Sequence, residues 1–155
     1  MSEINLRNAS KEDIPQVHSI EKKVYPAPWS KRFFHRVLNM GNSFFMIAEK
    51  EPEIIGYTIG TIEKSGRSND LKKAGHILNI AIKPEYQRKG IGTSLLKEME
   101  KRFTDRNAYI AYLEVRKSNL KAQKMYKQGG YKYLETVKNY YDNEDAIVMT
   151  KKLTR

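Results

Sequence analysis

Hydrophobic positions along this chain fall into blocks whose spacing switches between helical and extended. Glu3 to Asn8 alternate weakly, as a short first strand would. Ser10 followed by Asp13 gives a capping-box pattern with Asp in place of the usual Glu, and Ile14, Val17, Ile20 and Val24 then recur at helical spacing. Tyr25-Pro26-Ala27-Pro28 breaks that helix. Ser30 can cap a second, short helix carrying Phe33, Val37 and Leu38. Ser43 to Glu49 is apolar and aromatic, Pro52 marks a turn, and Ile54 to Ile62 reads as the returning strand. Lys64 to Gly75 is polar and reads as a loop. His76 to Ile82 is an almost continuous apolar run, as in a buried strand, and Pro84 ends it.

A helix starts near Gly90, with Ile91, Leu95, Leu96, Met99 and Phe103 on one face. Ala108 to Val115 reads as another buried strand, and a helix from Asn119 to about Gln128 ends at Gly129-Gly130. Asp145 to Leu153 closes the pattern as a strand, with room for one more near Tyr131. The order β-α-α-β-β-β-α-β-α-β predicts an α/β domain with a mixed sheet. No repeat or linker divides it, so one domain over 1–155 is expected.

Composition narrows the chemistry. The chain has 155 residues, 39% of them hydrophobic and 30% charged, and it has no cysteine. Disulfides, thiolate metal sites and cysteine nucleophiles are therefore excluded. No apolar run approaches the roughly 18 residues of a membrane span, and the first residues lack a signal-peptide core. A cytoplasmic protein is expected. The three histidines, His18, His35 and His76, share no metal-ligand spacing and read as structural or surface residues, so no metal is expected; His76, in the strand before the glycine turn, is the one to reconsider. The net charge of +11 calls for an anionic partner, unless it serves only surface solubility.

The segment Ile80-Ala81-Ile82-Lys83-Pro84-Glu85-Tyr86-Gln87-Arg88-Lys89-Gly90-Ile91-Gly92-Thr93 gives that charge a place. A buried strand enters a basic, glycine-containing turn that enters a helix. The start of a helix exposes unpaired N–H groups and a positive dipole end, and glycine lets an anion approach closely. On its glycines alone the segment reads as an ordinary strand–helix turn with solvated basic residues. A phosphate-loop motif is absent, and the dinucleotide fingerprint fails because Leu95 stands where its third glycine belongs.

Gln87-Arg88-Lys89-Gly90-Ile91-Gly92 resembles the Gln/Arg-x-x-Gly-x-Gly/Ala motif of the GNAT N-acetyltransferases, whose turn holds the pyrophosphate of coenzyme A. Leu113 to Tyr126, the loop Tyr25-Pro26-Ala27-Pro28-Trp29-Ser30, and Tyr140-Tyr141-Asp142 with Glu144-Asp145-Ala146 are similar to segments of its ribosomal-protein alanine and archaeal protein N-terminal acetyltransferases. These matches cover most of the chain in the right order. The resemblance implies the GNAT fold and acetyl-CoA as donor. It implies cofactor binding by Ile80, Ala81, Ile82, Arg88, Lys89, Gly90, Ile91, Gly92, Thr93, Asn119, Ala122 and Tyr126. The backbone of Ile80–Ile82 would also steady the oxyanion, and Tyr25, Pro26, Trp29, Tyr140 and Tyr141 would receive the substrate.

Two residues would carry the chemistry. Asn119, Ala122 and Tyr126 share one helical face. Tyr126 alone could be a core tyrosine; the resemblance makes it the acid that protonates the departing thiolate. Glu114 is a carboxylate in an apolar strand, either a strand-end residue facing water or a partly buried one whose pKa rises toward a base's range. The resemblance makes it the base.

The expected reaction is direct attack by the N-terminal α-amine of a protein on the thioester in a ternary complex, since no cysteine can form an acetyl-enzyme. An α-amine of pKa about 8 is partly neutral near pH 7.5, whereas deprotonating a lysine costs about 4 kcal/mol there. Lysine side chains and small amines such as polyamines are the enzymatic alternatives, and a basic nucleic-acid-binding module is the distant one. Arg88 and Lys89 would meet the pyrophosphate, and Lys121 and Lys124 are candidates for the 3′-phosphate. The charge left over fits ribosomal or nascent chains as partners, with no membrane and no nucleic acid outside the ribosome.

Overall fold

The computed structural model describes residues 3–65 and 72–154. The elements run β1 (Asn5–Asn8), α1 (Ile14–Val24), α2 (Lys31–Leu38), β2 (Ser43–Lys50), β3 (Glu53–Ser65), β4 (Lys72–Ile82), α3 (Ile91–Asp105), β5 (Ala108–Arg116), α4 (Leu120–Gln128), β6 (Lys132–Tyr141) and β7 (Glu144–Lys152). Among the described residues, seven strands hydrogen-bond in the order β1-β2-β3-β4-β5-β7-β6. The β4–β5 pair is parallel and β1–β2, β2–β3, β5–β7 and β6–β7 are antiparallel, so the sheet is mixed, as predicted. Two compact units emerge, Met1–Thr61 with Asn79–Met99, and Ile62–Leu78 with Glu100–Arg155.

In the first unit, α1 buries Ile14, Val17 and Ile20, and α2 buries Phe34 and Val37. The Phe34 ring centroid lies 5.7 Å from that of Tyr57 and 6.0 Å from that of Phe45, edge-on and tilted respectively. Ser30 caps α2 by accepting the Phe33 N–H. The Asp13 carboxylate takes the Ser10 N–H at 2.8 Å and an Arg7 N–H at 2.9 Å, and Arg7 also reaches Glu49 on β2 at 3.0 Å. The Arg7 hydrogen bond holds the Asp13 carboxyl below the usual carboxylate range.

In the second unit, β5 alternates. Ala111, Leu113 and Val115 are buried, while Tyr112, Glu114 and Arg116 are partly exposed on the opposite face. The apolar run read as a uniformly buried strand is thus two-faced, with Glu114 on the polar side. Both ends of the predicted loop from Lys64 to Gly75 are strand. Strand pairing claims Lys64–Ser65 and begins again at Lys72, because a paired backbone tolerates the partly exposed Lys72 and Lys73 side chains; 66–71 lie outside the described residues. The extra strand anticipated near Tyr131 is β6, ten residues long and mostly exposed, held by pairing with β7.

Gly75 of β4 lies against the fully buried Phe103, so that a Cβ at Gly75 would sit 2.1 Å from the ring. A buried aromatic cannot swing aside, and overpacking of this kind costs about 1–3 kcal/mol. Gly75→Ala should lower the melting temperature by about 2–10 °C, read by calorimetry at neutral pH.

Candidate active site

The turn between β4 and α3 has an unusual backbone and one open side. Arg88 and Gly90 both have left-handed backbones, at φ 64 and 82°. Ser94 donates its N–H and its hydroxyl to the Gly90 carbonyl, at 3.0 and 3.1 Å, which makes Gly90 the residue that opens the helix. Ser30 and Asn119 cap their own helices with side chains, but Gly90 has none to offer. A Cβ built on Gly90 meets nothing within 4 Å, so this side of the turn is open. The N–H groups of Ile91, Gly92 and Thr93 belong to the first helical turn, and Arg88 and Lys89 are exposed beside it.

The end of β4 is irregular. The Ile80 N–H donates to Asn79 Oδ1 at 3.1 Å, and the Ile80 carbonyl accepts the Tyr25 hydroxyl at 2.5 Å. The Asn79 carbonyl accepts from the Thr58 hydroxyl at 3.0 Å. Gly56 permits a close approach of β3 here, since a Cβ on it would lie 2.6 Å from the Ile82 side chain and 3.1 Å from the Ala81 carbonyl. Ile80 and Ala81 are buried and Ile82 half-buried. The aromatic loop abuts this segment through Tyr25. Its Pro26 is exposed, and the Trp29 ring packs on Phe33 at a centroid distance of 4.1 Å. Asn79 and the buried Glu21, which accepts the Trp29 N–H at 3.0 Å, were not singled out by sequence. Their only signal is a polar residue at an otherwise core-facing position.

The second unit gathers the titratable groups. Glu114 Oε1 lies 2.7 Å from His76 Nε2, and His76 Nδ1 lies 2.8 Å from Glu63. The imidazole stacks on Tyr112 at 4.2 Å and 13°, and the Tyr112 hydroxyl donates to Glu63. Burial works against a charged His76, but its bonds to Glu114 and then Glu63 outweigh that and raise its pKa. His76, expected as a structural or surface residue, is mostly buried. Both its ring nitrogens face carboxylates, a pairing that only strand adjacency creates. The side chains of His76 and Glu114 are 14% and 16% exposed, whereas that of Glu63 is 41% exposed and reaches water.

Glu114 also acts on the aromatic pair. Burial, then the charge of Glu114, raises the Tyr140 pKa; burial, then Tyr140, then Glu114, pushes Tyr141 up to about 12. The two rings meet edge-on at 5.0 Å, and the Arg116 guanidinium covers Tyr141 at 4.2 Å. Tyr126 is buried in α4, and its pKa is raised by burial and then by Tyr141, so its phenol stays protonated through neutral pH. Asn119 Oδ1 caps α4 on the Ala122 N–H at 3.2 Å, and Ala122 is half-buried. Glu114, Tyr126, Tyr140 and Tyr141 thus form one electrostatic neighbourhood. Chemically it offers a carboxylate that can take a proton, an imidazole that can share it, and a neutral phenol that can give one. Among the described residues no group of His, Asp and Glu is arranged to hold a metal ion.

Residues 14–131 match the family model described as "Acetyltransferase (GNAT) family". An N-alpha-acetyltransferase of Sulfurisphaera tokodaii is 38% identical over 95% of this chain and 92% of its own length. The crystal structure of the Escherichia coli ribosomal-protein-S18-alanine N-acetyltransferase superposes with a TM-score of 0.83 at 25% identity, covering 99% of this chain and 96% of that one. Chaetomium thermophilum Naa20, solved with a bisubstrate analogue, gives a TM-score of 0.85 at 28% identity over 96% of this chain and 86% of that one.

The raised His76 pKa has a consequence for stability. A proton held more tightly in the folded state stabilises it below the unfolded value of about 6.5, and that contribution disappears as pH rises through the folded value. The groups facing His76 are Glu63 on β3 and Glu114 and Tyr112 on β5. The unfolding free energy of wild type minus that of His76→Gln should be largest near pH 6 and should shrink toward pH 8.5, measured by urea titration at each pH.

Proposed function

The chain belongs to the GNAT acetyltransferase family, and we propose that within it this protein carries the acetyl group of acetyl-CoA to the α-amine at the start of a protein chain. The observation that carries the reading is Glu114, a largely buried carboxylate bonded to His76 and acting electrostatically on the two tyrosines expected to meet the substrate. Relatives named for N-alpha- and ribosomal-protein alanine acetylation support the amine class.

Acetyl-CoA, when bound, supplies a thioester carbonyl for the amine to attack. The turn fits its phosphates: Gly90 leaves one face open, the first N–H groups of α3 are uncapped by Gly90, and Arg88 and Lys89 add positive charge. The Ile80–Ile82 backbone lies on the donor side, and Asn119 and Ala122 present the start of α4. Glu114 takes the proton from the attacking amine, and His76, joined to it at 2.7 Å, shares the proton and holds the carboxylate in place. Glu63 and the stacked Tyr112 fix the imidazole. Tyr126 supplies the proton that the leaving thiolate needs. Tyr25, Pro26 and Trp29 in the first unit, and Tyr140 and Tyr141 in the second, are apolar and aromatic, a character that suits a peptide backbone and a small side chain better than a polycation. Ribosomal and nascent proteins are the substrates that suit the basic surface, and the cytoplasm is where they are met. No helix among the described residues is long and apolar enough to cross a membrane.

Turnover of acetyl-CoA against peptides varied at their first two residues, with N-blocked lysine peptides and polyamines alongside, tests this reading. Peptides with a free α-amine should exceed the others in kcat/KM by about a hundredfold, in line with the roughly 4 kcal/mol deprotonation gap. An N-blocked lysine peptide acetylated as fast would overturn it. For Glu114→Gln, the kcat/KM defect should be largest near pH 6 and should shrink toward pH 9.5, because an amine of pKa about 8 then arrives already neutral. A ratio flat across that span would remove Glu114 as the base.

A further inference from the structure

Glu21 is 1% exposed, yet it is a carboxylate inside an apolar helix face. Three donors converge on it from three separate segments. Oε1 accepts from the Tyr57 hydroxyl of β3 and from Asn79 Nδ2 of β4, the latter at 2.6 Å, and Oε2 accepts the Trp29 N–H at 3.0 Å. Asn79 Nδ2 also lies 2.9 Å from the Tyr57 hydroxyl, which closes the knot. A buried charge is a poor device for stability alone, because a well-packed apolar residue of similar volume commonly does as well. What the carboxylate adds here is direction. It is the only kind of side chain that satisfies three donors on two oxygens without offering a proton of its own.

The knot has a particular reach. The loop Tyr25-Pro26-Ala27-Pro28-Trp29 is pinned at both ends: Tyr25 by its hydroxyl to the Ile80 carbonyl, Trp29 by its N–H to Glu21. Both anchors lead to the same two residues, since Glu21 holds Asn79 and Asn79 holds the Ile80 N–H. Two prolines stiffen the arch between the anchors. We propose that Glu21 is a positioning residue for substrate: it fixes the height of the aromatic loop and couples that loop to the irregular end of β4. The proposal rests on reading Tyr25–Trp29 as the substrate loop.

Glu21→Gln separates the two sides of the knot. An amide has one acceptor oxygen, and the paired donors Tyr57 and Asn79 claim it. Its NH₂ group is then left facing the Trp29 N–H, and the loop tether is lost. Trp29 is the single tryptophan of the chain, so its fluorescence reports the loop without any assay of activity. In Glu21→Gln the Trp29 emission should shift to the red and acrylamide quenching should rise about twofold, with far-UV circular dichroism unchanged. The KM for peptide should rise about tenfold, the effect expected from losing a charge-assisted hydrogen bond, while the KM for acetyl-CoA and kcat stay within about twofold. Tyr57→Phe, which removes a donor but leaves the Trp29 tether, should lower the melting temperature and leave both Trp29 quenching and the peptide KM as in wild type.

Unchanged quenching in Glu21→Gln, or a lower melting temperature with no change in peptide KM, overturns the proposal. If Glu21→Gln does not fold, Glu21→Asp keeps both oxygens but withdraws them by one methylene, and the same two readouts decide. If the wild type acetylates no peptide, the functional reading fails, and Trp29 quenching still settles whether Glu21 holds the loop.

Discussion

The parallel pairing of β4 with β5 is the constraint on which the arrangement around Glu114 depends. Its register sets His76 opposite Tyr112 and Ile77 opposite Leu113. Because side chains alternate along a strand, Tyr112 and Glu114 share the face that carries His76, while Ala111, Leu113 and Val115 turn to the core. A slip of one residue would bury Glu114 among apolar groups and turn Leu113 outward. One hydrogen-bond register therefore supplies a packed core on one side and a carboxylate–imidazole–carboxylate row on the other. The same β4 strand runs on past its pairing with β5 at Ile77, through Ile80, toward the glycine turn.

Three of the clusters that hold partly or fully buried charge differ in their solution. Arg7 neutralises Asp13 and Glu49 with paired hydrogen bonds and fastens α1 to the first two strands. Glu21 is met by neutral donors. His76 lies between two acids. His76 is an imidazole whose carboxylate partners raise its pKa against the cost of burial.

The element order, the helix spacing and the glycine turn were legible in the sequence because each is a local pattern. Ser30, Gly90 and Asn119 mark helix starts, and the apolar faces of α1 and α3 follow directly from spacing. Glu114, Tyr126, Tyr140 and Tyr141 were also reached from sequence, through motif resemblance. Of the other groups around Glu114, only His76 was marked there, as the histidine to reconsider. Glu63, His76 and Tyr112 come together across three strands, and nothing in the local sequence of any one of them announces the other two. Glu21 and Asn79 escaped for the same reason. The polar ends of β3 and β4 read as a loop because pairing, not side-chain pattern, keeps them extended. β6 was barely visible, since most of its side chains face water and leave no apolar alternation to read.

That exposed β6 strand carries Tyr140 and Tyr141 at its end. It stands last in the strand order, pairs with β7 alone, and shows register irregularities on both sides of its middle. Strands of this kind open first, so its amides should exchange with solvent well before those of β5. Part of the expected recognition surface is then drawn from the least protected backbone of the second unit, while Glu114 belongs to its interior strand. Such a division sets a yielding aromatic edge apart from the carboxylate–imidazole–carboxylate row, which is fixed by interior strands.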